Sequence, residues 1–150
     1  MNNLVTKKQA ENLKKLGFNE EVSHYIMLGF TKVITSRPTN WNNEKVPFPI
    51  KEFEITTNKP YTSVPTLDEA IDWFERKLKC SVEIYYRDWN HSFYSYTKMY
   101  NEYKMKELLV CNTLTKSKNT IKRKIITRMI KYVQESKSTS SKTKKKQTSR

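Results

Sequence analysis

The chain has 150 residues, enough for one domain with a modest hydrophobic core, and a formal net charge of +14. Residues 1–65 carry a net charge of +3, residues 66–112 carry −1, and residues 113–150 carry +12. The two glycines are too few for Gly-rich phosphate-binding loops, and the two cysteines and two histidines lack the close spacing of a zinc site. We therefore expect no metal and no cofactor.

The sequence contains no apolar run of membrane-spanning length and no charged-then-apolar leader. Cys80 and Cys111 are typical of reduced residues in a cytosolic protein. We therefore expect a protein that acts in a cytoplasm, without a membrane partner.

Residues 1–35 predict one helix and one strand packed on the rest of the chain. Thr6 and Gln9 form a capping box at the start of the helix, and Gly17 marks its end. Residues 22–35 are rich in β-branched and aromatic types, which favours a single strand with a bend or bulge at Gly29. His24 in this strand is interpreted as a surface or half-buried residue rather than a catalytic one.

Residues 36–65 read as an irregular loop, because prolines and an Asn-rich run interrupt them. Residues 51–57 alternate between polar and apolar types and predict one short strand within the loop. Trp41 and Phe48 are expected to anchor the loop to the core.

The clearest helix covers residues 66–79. Thr66 and Glu69 form a second capping box. Apolar residues then recur at helical spacing: Leu67, Ala70, Ile71, Phe74 and Leu78.

Three strands are predicted after this helix. Residues 81–87 alternate, with Val82, Ile84 and Tyr86 on one face. A turn at 88–91 leads into a return strand at 92–99, a polar connection at 100–106 and a third short strand at 107–111.

A final helix is predicted from residue 119 or 120 to about residue 135. Its apolar face consists of Ile121, Ile125, Ile126, Met129, Ile130 and Val133. Residues 136–150 contain only Ser, Thr, Lys, Gln and Arg and predict a disordered basic tail. The expected fold is α+β: an α-β-β-β-α core at residues 66–135, with two amphipathic helices on one face of an antiparallel sheet of three or more strands.

This element order, with Lys116 and Lys118 leading into Lys122, Arg123 and Lys124, resembles a double-stranded-RNA-binding domain. The resemblance implies that the basic start of the last helix straddles the narrow groove. It also implies minor-groove contacts by the first core helix, at Glu69, and by the turn at Asn90 and His91. The chain departs from that family in having Ile and Met where the last helix of the family has small residues.

A second resemblance rests on residues 3–18 and 64–77. Both segments are similar to short uncharacterised proteins from phages and mobile elements of Bacteroides-like bacteria. This likeness implies a shared fold and a phage-like origin, but no activity. Many members of that group have an acidic or neutral last helix, whereas the one here is basic.

The leading functional interpretation is a small non-enzymatic protein that binds DNA or RNA non-specifically through its basic last helix and tail. It would act in the cytoplasm of a host cell or in association with a virion. The predicted contact residues are Lys116, Lys118, Lys122, Arg123, Lys124, Arg128, Lys131, Lys144, Lys145 and Lys146.

Three alternatives remain open at this stage. The first is a protein-interaction module, such as a host-takeover inhibitor or a virion-associated protein. The second is a tail that only keeps the protein in solution. The third is binding to a membrane surface, which is less favoured because the last helix lacks the Trp, Phe and Leu of interfacial helices.

Aromatic residues crowd the predicted hairpin and its exit: Tyr85, Tyr86, Trp89, Phe93, Tyr94, Tyr96, Tyr100 and Tyr103. Those on the open face of the sheet are expected to form ordinary cross-strand pairs, with stacking of single-stranded bases as the less favoured role. Glu83, Asp88 and His91 are the only acid–base residues close together in sequence. Because no nucleophile or metal set accompanies them, no enzymatic activity is expected.

Overall fold

A computed structural model describes the backbone of residues 3–47, 57–89, 91–101, 104–113 and 117–148, and the side chains of these residues except for 99–113 and 137–148. The chain has an α+β fold with three helices and two antiparallel sheets, which confirms the predicted fold class. The elements in chain order are α1 (Lys7–Lys15), β1 (Val22–Met27), β2 (Ile34–Thr39), a 3-10 helix (Trp41–Asn43), β3 (Tyr61–Ser63), α2 (Leu67–Leu78), β4 (Cys80–Arg87), β5 (Ser92–Asn101), β6 (Lys104–Thr113) and α3 (Lys118–Thr148).

Helices α1 and α2 begin with the two predicted capping boxes. The hydroxyl of Thr6 accepts a hydrogen bond from the Gln9 amide, and that of Thr66 accepts one from the Glu69 amide. The side chains of Gln9 and Glu69 accept in return from the backbone N–H of the respective threonine. Two backbone bonds, from Val5 to Pro65 and from Leu67 to Asn3, hold the two helix starts side by side. The local sequence thus sets both helix starts, and backbone pairing places them next to each other.

The first sheet has the strand order β2-β1-β3, and it corrects the prediction for residues 22–35. These residues form two antiparallel strands rather than one, because the chain reverses after β1 and Gly29 adopts a positive φ of 86° in the turn. Strand β2 continues to Thr39, so the irregular segment begins later than predicted, and β3 was not predicted at all. The strand predicted at residues 51–57 lies outside the described residues apart from Thr57.

Trp41 anchors the connection between β2 and β3, as predicted. Its ring stacks on Tyr25 of β1, with the ring centroids 4.0 Å apart, and lies edge-on to Tyr61 of β3 at 5.1 Å. Its indole N–H donates to the hydroxyl of Ser36 at 2.9 Å. The other predicted anchor, Phe48, lies outside the described residues.

Asn42, the residue after this tryptophan, connects three segments of the chain and is buried. Its amide Nδ2 donates to the carbonyl of Phe18 at 2.8 Å, and its Oδ1 accepts from the backbone N–H of Ser63 at 2.8 Å. Its own backbone N–H donates to the buried hydroxyl of Ser63 at 3.0 Å. One polar side chain therefore satisfies backbone groups in the segment after α1 and in β3.

The second sheet has the strand order β4-β5-β6, and both strand pairs are antiparallel. The predicted turn at 88–91 lies between β4 and β5, with Asn90 outside the described residues, and Tyr85 lies opposite Tyr94. The predicted polar connection at 100–106 is wrong for most of its length, because β5 continues to Asn101 and β6 starts at Lys104. Polar residues can belong to a strand when a neighbouring strand pairs with their backbone. The polar composition of residues 100–106 was therefore not a reliable sign that the strands end there.

The apolar stripes of the three helices meet in one core. All six predicted apolar residues of α3 are buried, with no more than 5% of any of them exposed. The stripe predicted for α2 is also buried, apart from the half-buried Leu78 at its end, and so are Ala10 and Leu13 of α1. Trp73 of α2, which was not included in the predicted stripe, is buried against the ring of Phe18 at 5.4 Å.

Helix α3 includes residues 136–148 of the segment predicted to be a disordered tail. It runs for 31 residues to Thr148, a length of about 46 Å at 1.5 Å per residue. Glycine and proline, the two strongest helix breakers, are both absent from residues 118–148. Among the described residues, no helix is both long enough and apolar enough to cross a membrane.

We predict that Asn42→Ala lowers the free energy of unfolding by about 3 kcal/mol, because it leaves the Phe18 carbonyl and the Ser63 N–H buried without partners. Urea unfolding followed by circular dichroism measures this change. Asn43→Ala, at the exposed neighbouring position, is the matched control and should change stability by less than about 0.5 kcal/mol. Equal effects of the two substitutions would contradict the role of Asn42.

Candidate nucleic-acid interface

The outward side of α3 carries a row of cationic side chains. With 3.6 residues per turn, the buried stripe occupies one side of the helix, and Lys124, Arg128 and Lys131 lie on the opposite side. All three are exposed. The ammonium of Lys131 lies 4.0 Å from the carboxylate of Glu135, one turn later in the helix. An exposed ion pair of this kind stabilises a helix only weakly. The core packing of α3 therefore directs these predicted site residues toward solvent.

A groove between α1 and α3 continues this cationic row. Its volume is about 320 Å³, and Arg123, Lys124 and Arg128 line it on the α3 side. Two threonines of α3 and the start of α1 complete the lining: Thr120, Thr127, Thr6 and Gln9. Guanidinium, ammonium and hydroxyl groups are the side-chain donors that bind phosphate oxygens.

Hydrogen bonds between the two helices shape this groove. The amide of Gln9 donates to the Arg123 carbonyl at 2.8 Å and to the Thr127 hydroxyl at 2.9 Å. The Arg123 guanidinium donates to the carbonyl of Leu4 at 3.3 Å. Because the second residue of the α1 capping box also binds α3, the start of α1 and the cationic row are held in a defined relative position.

Lys118 and Lys122 lie on the other flank of α3 and do not join this row. The ammonium of Lys122 is 2.6 Å from the carboxylate of Asp68 on α2, and its side chain is only 15% exposed. A shallow groove beside this pair also contains Asp72 and Glu75. Positions 122 and 124 are about 200° apart around a helix, so the predicted set of contacts divides into a cationic row and a flank where carboxylates balance the charge.

For the remaining four predicted contact residues, the structure describes the backbone only or describes nothing. Lys116 lies outside the described residues. The backbone of Lys144, Lys145 and Lys146 belongs to α3, which places these residues about 20 Å or more along the helix axis from Lys131. Their backbone therefore continues the helix that carries the row.

The acid–base residues of the β4–β5 hairpin have separate partners. Glu83 accepts a hydrogen bond from the Tyr85 hydroxyl and lies 3.3 Å from the Lys98 ammonium; these two partners, the hydroxyl first, lower the pKa of Glu83. His91 Nδ1 lies 3.1 Å from the Tyr86 hydroxyl. Within the described part of the chain, no group of three or more His, Cys, Asp or Glu side chains could hold a metal ion.

Cys80 lies at the junction of α2 and β4, with its side chain buried. Its thiol is 3.9 Å from the carbonyl of Phe74. Burial, and next the negative charge of Glu75, raise the pKa of Cys80 to about 11. Because the thiolate is the reactive form, this residue is a poor nucleophile at neutral pH.

Comparison with known proteins provides no relative: no protein-family model, no curated protein and no solved structure matches the chain. What the protein binds must therefore be inferred from α3 and from the surfaces around it.

We predict that Cys80 of the folded protein reacts with a disulfide reagent at pH 8 at least about a hundredfold more slowly than after unfolding in urea, because its thiolate is scarce and enclosed. The absorbance of the released thiol measures the rate. The measurement uses a Cys111→Ser background, so that one thiol remains. Equal rates in the folded and unfolded protein would show that the site is open.

Proposed function

We propose that this is a non-enzymatic protein that binds nucleic acid through phosphate contacts from the outward side and the C-terminal extension of α3. The observation that supports this most strongly is the charge of that one helix. Residues 118–148 contain eleven Lys or Arg residues and a single acid, Glu135, on a helix whose apolar side is already buried in the core.

Residues 1–112 carry a net charge of +2, so the composition of the rest of the chain does not offset this excess. Residues 66–112, which include α2, have a net charge of −1, and the carboxylate of Asp68 is already paired with Lys122. Lysines three and four residues apart repel one another along a helix. A polyanion relieves this repulsion and releases its own counterions on binding, which favours association at low salt.

Lysine and arginine contacts to phosphates carry no sequence information, so we expect low specificity. Duplex DNA presents about one negative charge per 1.7 Å of its axis, which is denser than the basic residues of α3, so several phosphates can be contacted at once. We extend the proposal to action in a host-cell cytoplasm or in a virion, which is the setting implied by the phage-like resemblance suggested for residues 3–18 and 64–77.

We predict salt-dependent binding of labelled duplex DNA or RNA, measured by fluorescence anisotropy over a series of salt concentrations. Lys124→Gln combined with Arg128→Gln should reduce the slope of log affinity against log salt by about 1 for each charge removed. A chain that ends at residue 135 should show a larger reduction.

The matched control is Lys32→Gln with Arg37→Gln, which removes two exposed positive charges from the β1–β2 hairpin and should leave the slope nearly unchanged. Equal losses in both double variants would mean that net charge alone attracts the polyanion. Absence of salt-dependent binding to either nucleic acid would contradict the proposal.

A protein-interaction role is the second candidate, because a cavity of about 460 Å³ lies between α1 and the β1–β2 turn. Leu28 and Phe30 at this cavity are 51% and 41% exposed, and Lys7, Lys14 and Lys15 face them from α1. Exposed apolar side chains at the rim of a cavity are typical of docking surfaces. A partner that is retained from nuclease-treated lysate by the wild type, but lost with Leu28→Ser, would favour this role.

A further inference from the structure

The turn-proximal end of the β4–β5 hairpin exposes large aromatic side chains. Trp89 in the turn is 80% exposed, and Tyr86 and Tyr85 are 48% and 40% exposed. Among the described residues, the other large apolar side chains with comparable exposure all belong to the β1–β2 hairpin and its turn. The aromatic end of this hairpin therefore needs an explanation that core packing does not provide.

One face of the hairpin holds an ordered stack of rings and a guanidinium group. Tyr85 and Tyr94 are cross-strand partners whose rings stack with centroids 5.2 Å apart and planes inclined by 22°. The guanidinium of Arg87 lies 4.3 Å from the centroid of the Tyr94 ring. Tyr94 thus supports two planar groups: the Tyr85 ring and the cation of Arg87.

The side chains of this stack are held in place by further contacts. The Tyr85 hydroxyl donates to Glu83, and this hydrogen bond is the main cause of the raised pKa of Tyr85. On the other face of the hairpin, Tyr86 lies against the ring of Phe93 at 4.9 Å. The rings of Tyr85 and Tyr86 are therefore largely pre-positioned, so little side-chain entropy is lost when a planar ligand stacks on them.

We propose that the β4–β5 hairpin binds single-stranded nucleic acid, with unpaired bases stacking on Trp89 and Tyr85 and with Arg87 directed at the adjacent phosphate. Bases stack on aromatic side chains regardless of sequence, whereas the bases of a duplex are already stacked within it. This site adds selectivity for strand state, which the phosphate contacts of α3 cannot supply.

Charge favours nucleic acid over an apolar protein surface as the occupant. The chain carries a net charge of +14, most of it in residues 113–150, which concentrates polyanions around the molecule. The hairpin itself is close to neutral, because Glu83 and Asp88 offset Lys98 and Arg87, so its own contribution is the aromatic rings with the Arg87 cation beside them. The inference deepens the proposed function but depends on different residues, so the two can fail separately.

The experiment follows the fluorescence of Trp89 while a short oligothymidylate or a duplex of equal length is added to the full chain. Trp73 is 6% exposed and Trp41 is half-buried, so quenching by a stacked base reports mainly on Trp89. We expect quenching by the single strand and little by the duplex. Trp89→Phe should keep the affinity, because a ring remains, but lose the signal.

Tyr85→Thr should weaken binding of the single strand by about tenfold at fixed salt, while affinity for the duplex changes by less than about twofold. Ile34→Thr is the matched control, since Ile34 is also a strand residue and also 40% exposed, and it should change neither affinity. Lys124→Gln combined with Arg128→Gln should lower the affinity for both the single strand and the duplex, and should leave the preference for the single strand unchanged.

Two results would overturn the inference. The first is unchanged Trp89 emission, or equal responses to the single strand and the duplex; salt-dependent binding in the same samples would leave the α3 proposal standing. The second is a shift of Trp89 emission with anionic lipid vesicles but not with the oligonucleotide, which would assign the hairpin to a membrane surface.

Discussion

The helical period of 3.6 residues gives α3 two different sides, one packed in the core and one exposed to solvent. The rest of the structure depends on this constraint. Its apolar stripe is in the same core as those of α1 and α2, and none of its six core residues is more than 5% exposed. Once that side is buried, the exposed Lys124, Arg128 and Lys131 must point the other way. The same packing that stabilises the fold therefore places Lys124, Arg128 and Lys131 on the exposed side of α3.

Helices α1 and α2, which both pack against α3, contact it through different kinds of interaction. Helix α2 supplies Asp68 to Lys122, so that flank is electrically balanced. Helix α1 has no acidic residue in its first turn and contacts α3 through the neutral amide of Gln9. At this contact the Gln9 amide donates to the Arg123 carbonyl and the Thr127 hydroxyl, so neutral groups join α1 to α3, whereas an ion pair joins α2 to α3 on the other flank.

Polyanion attraction and base recognition have different physical requirements, and we propose that different elements of the chain meet them. Attraction needs charge spread over a length comparable to several phosphates, which a helix of about 46 Å provides. Recognition of unpaired bases needs rigid aromatic planes, which adjacent strands provide through stacked pairs such as Tyr85 and Tyr94. Together, the proposed surfaces describe a protein that is drawn to nucleic acid by one element and distinguishes its strand state with another.

Local chemistry allowed the sequence by itself to determine the α+β class, both capping boxes and the apolar stripes, because caps and helical periodicity involve residues three or four positions apart. It did not determine where β-prone segments reverse, so residues 22–35 became two strands around the positive φ of Gly29. Nor did it predict the buried Asn42 or the helical continuation after residue 135. Only the tertiary structure decided which basic residues share one surface. Lys122 is separated from the exposed row because it pairs with Asp68, and this pairing depends on the packing of α3 against α2 and not on any local pattern.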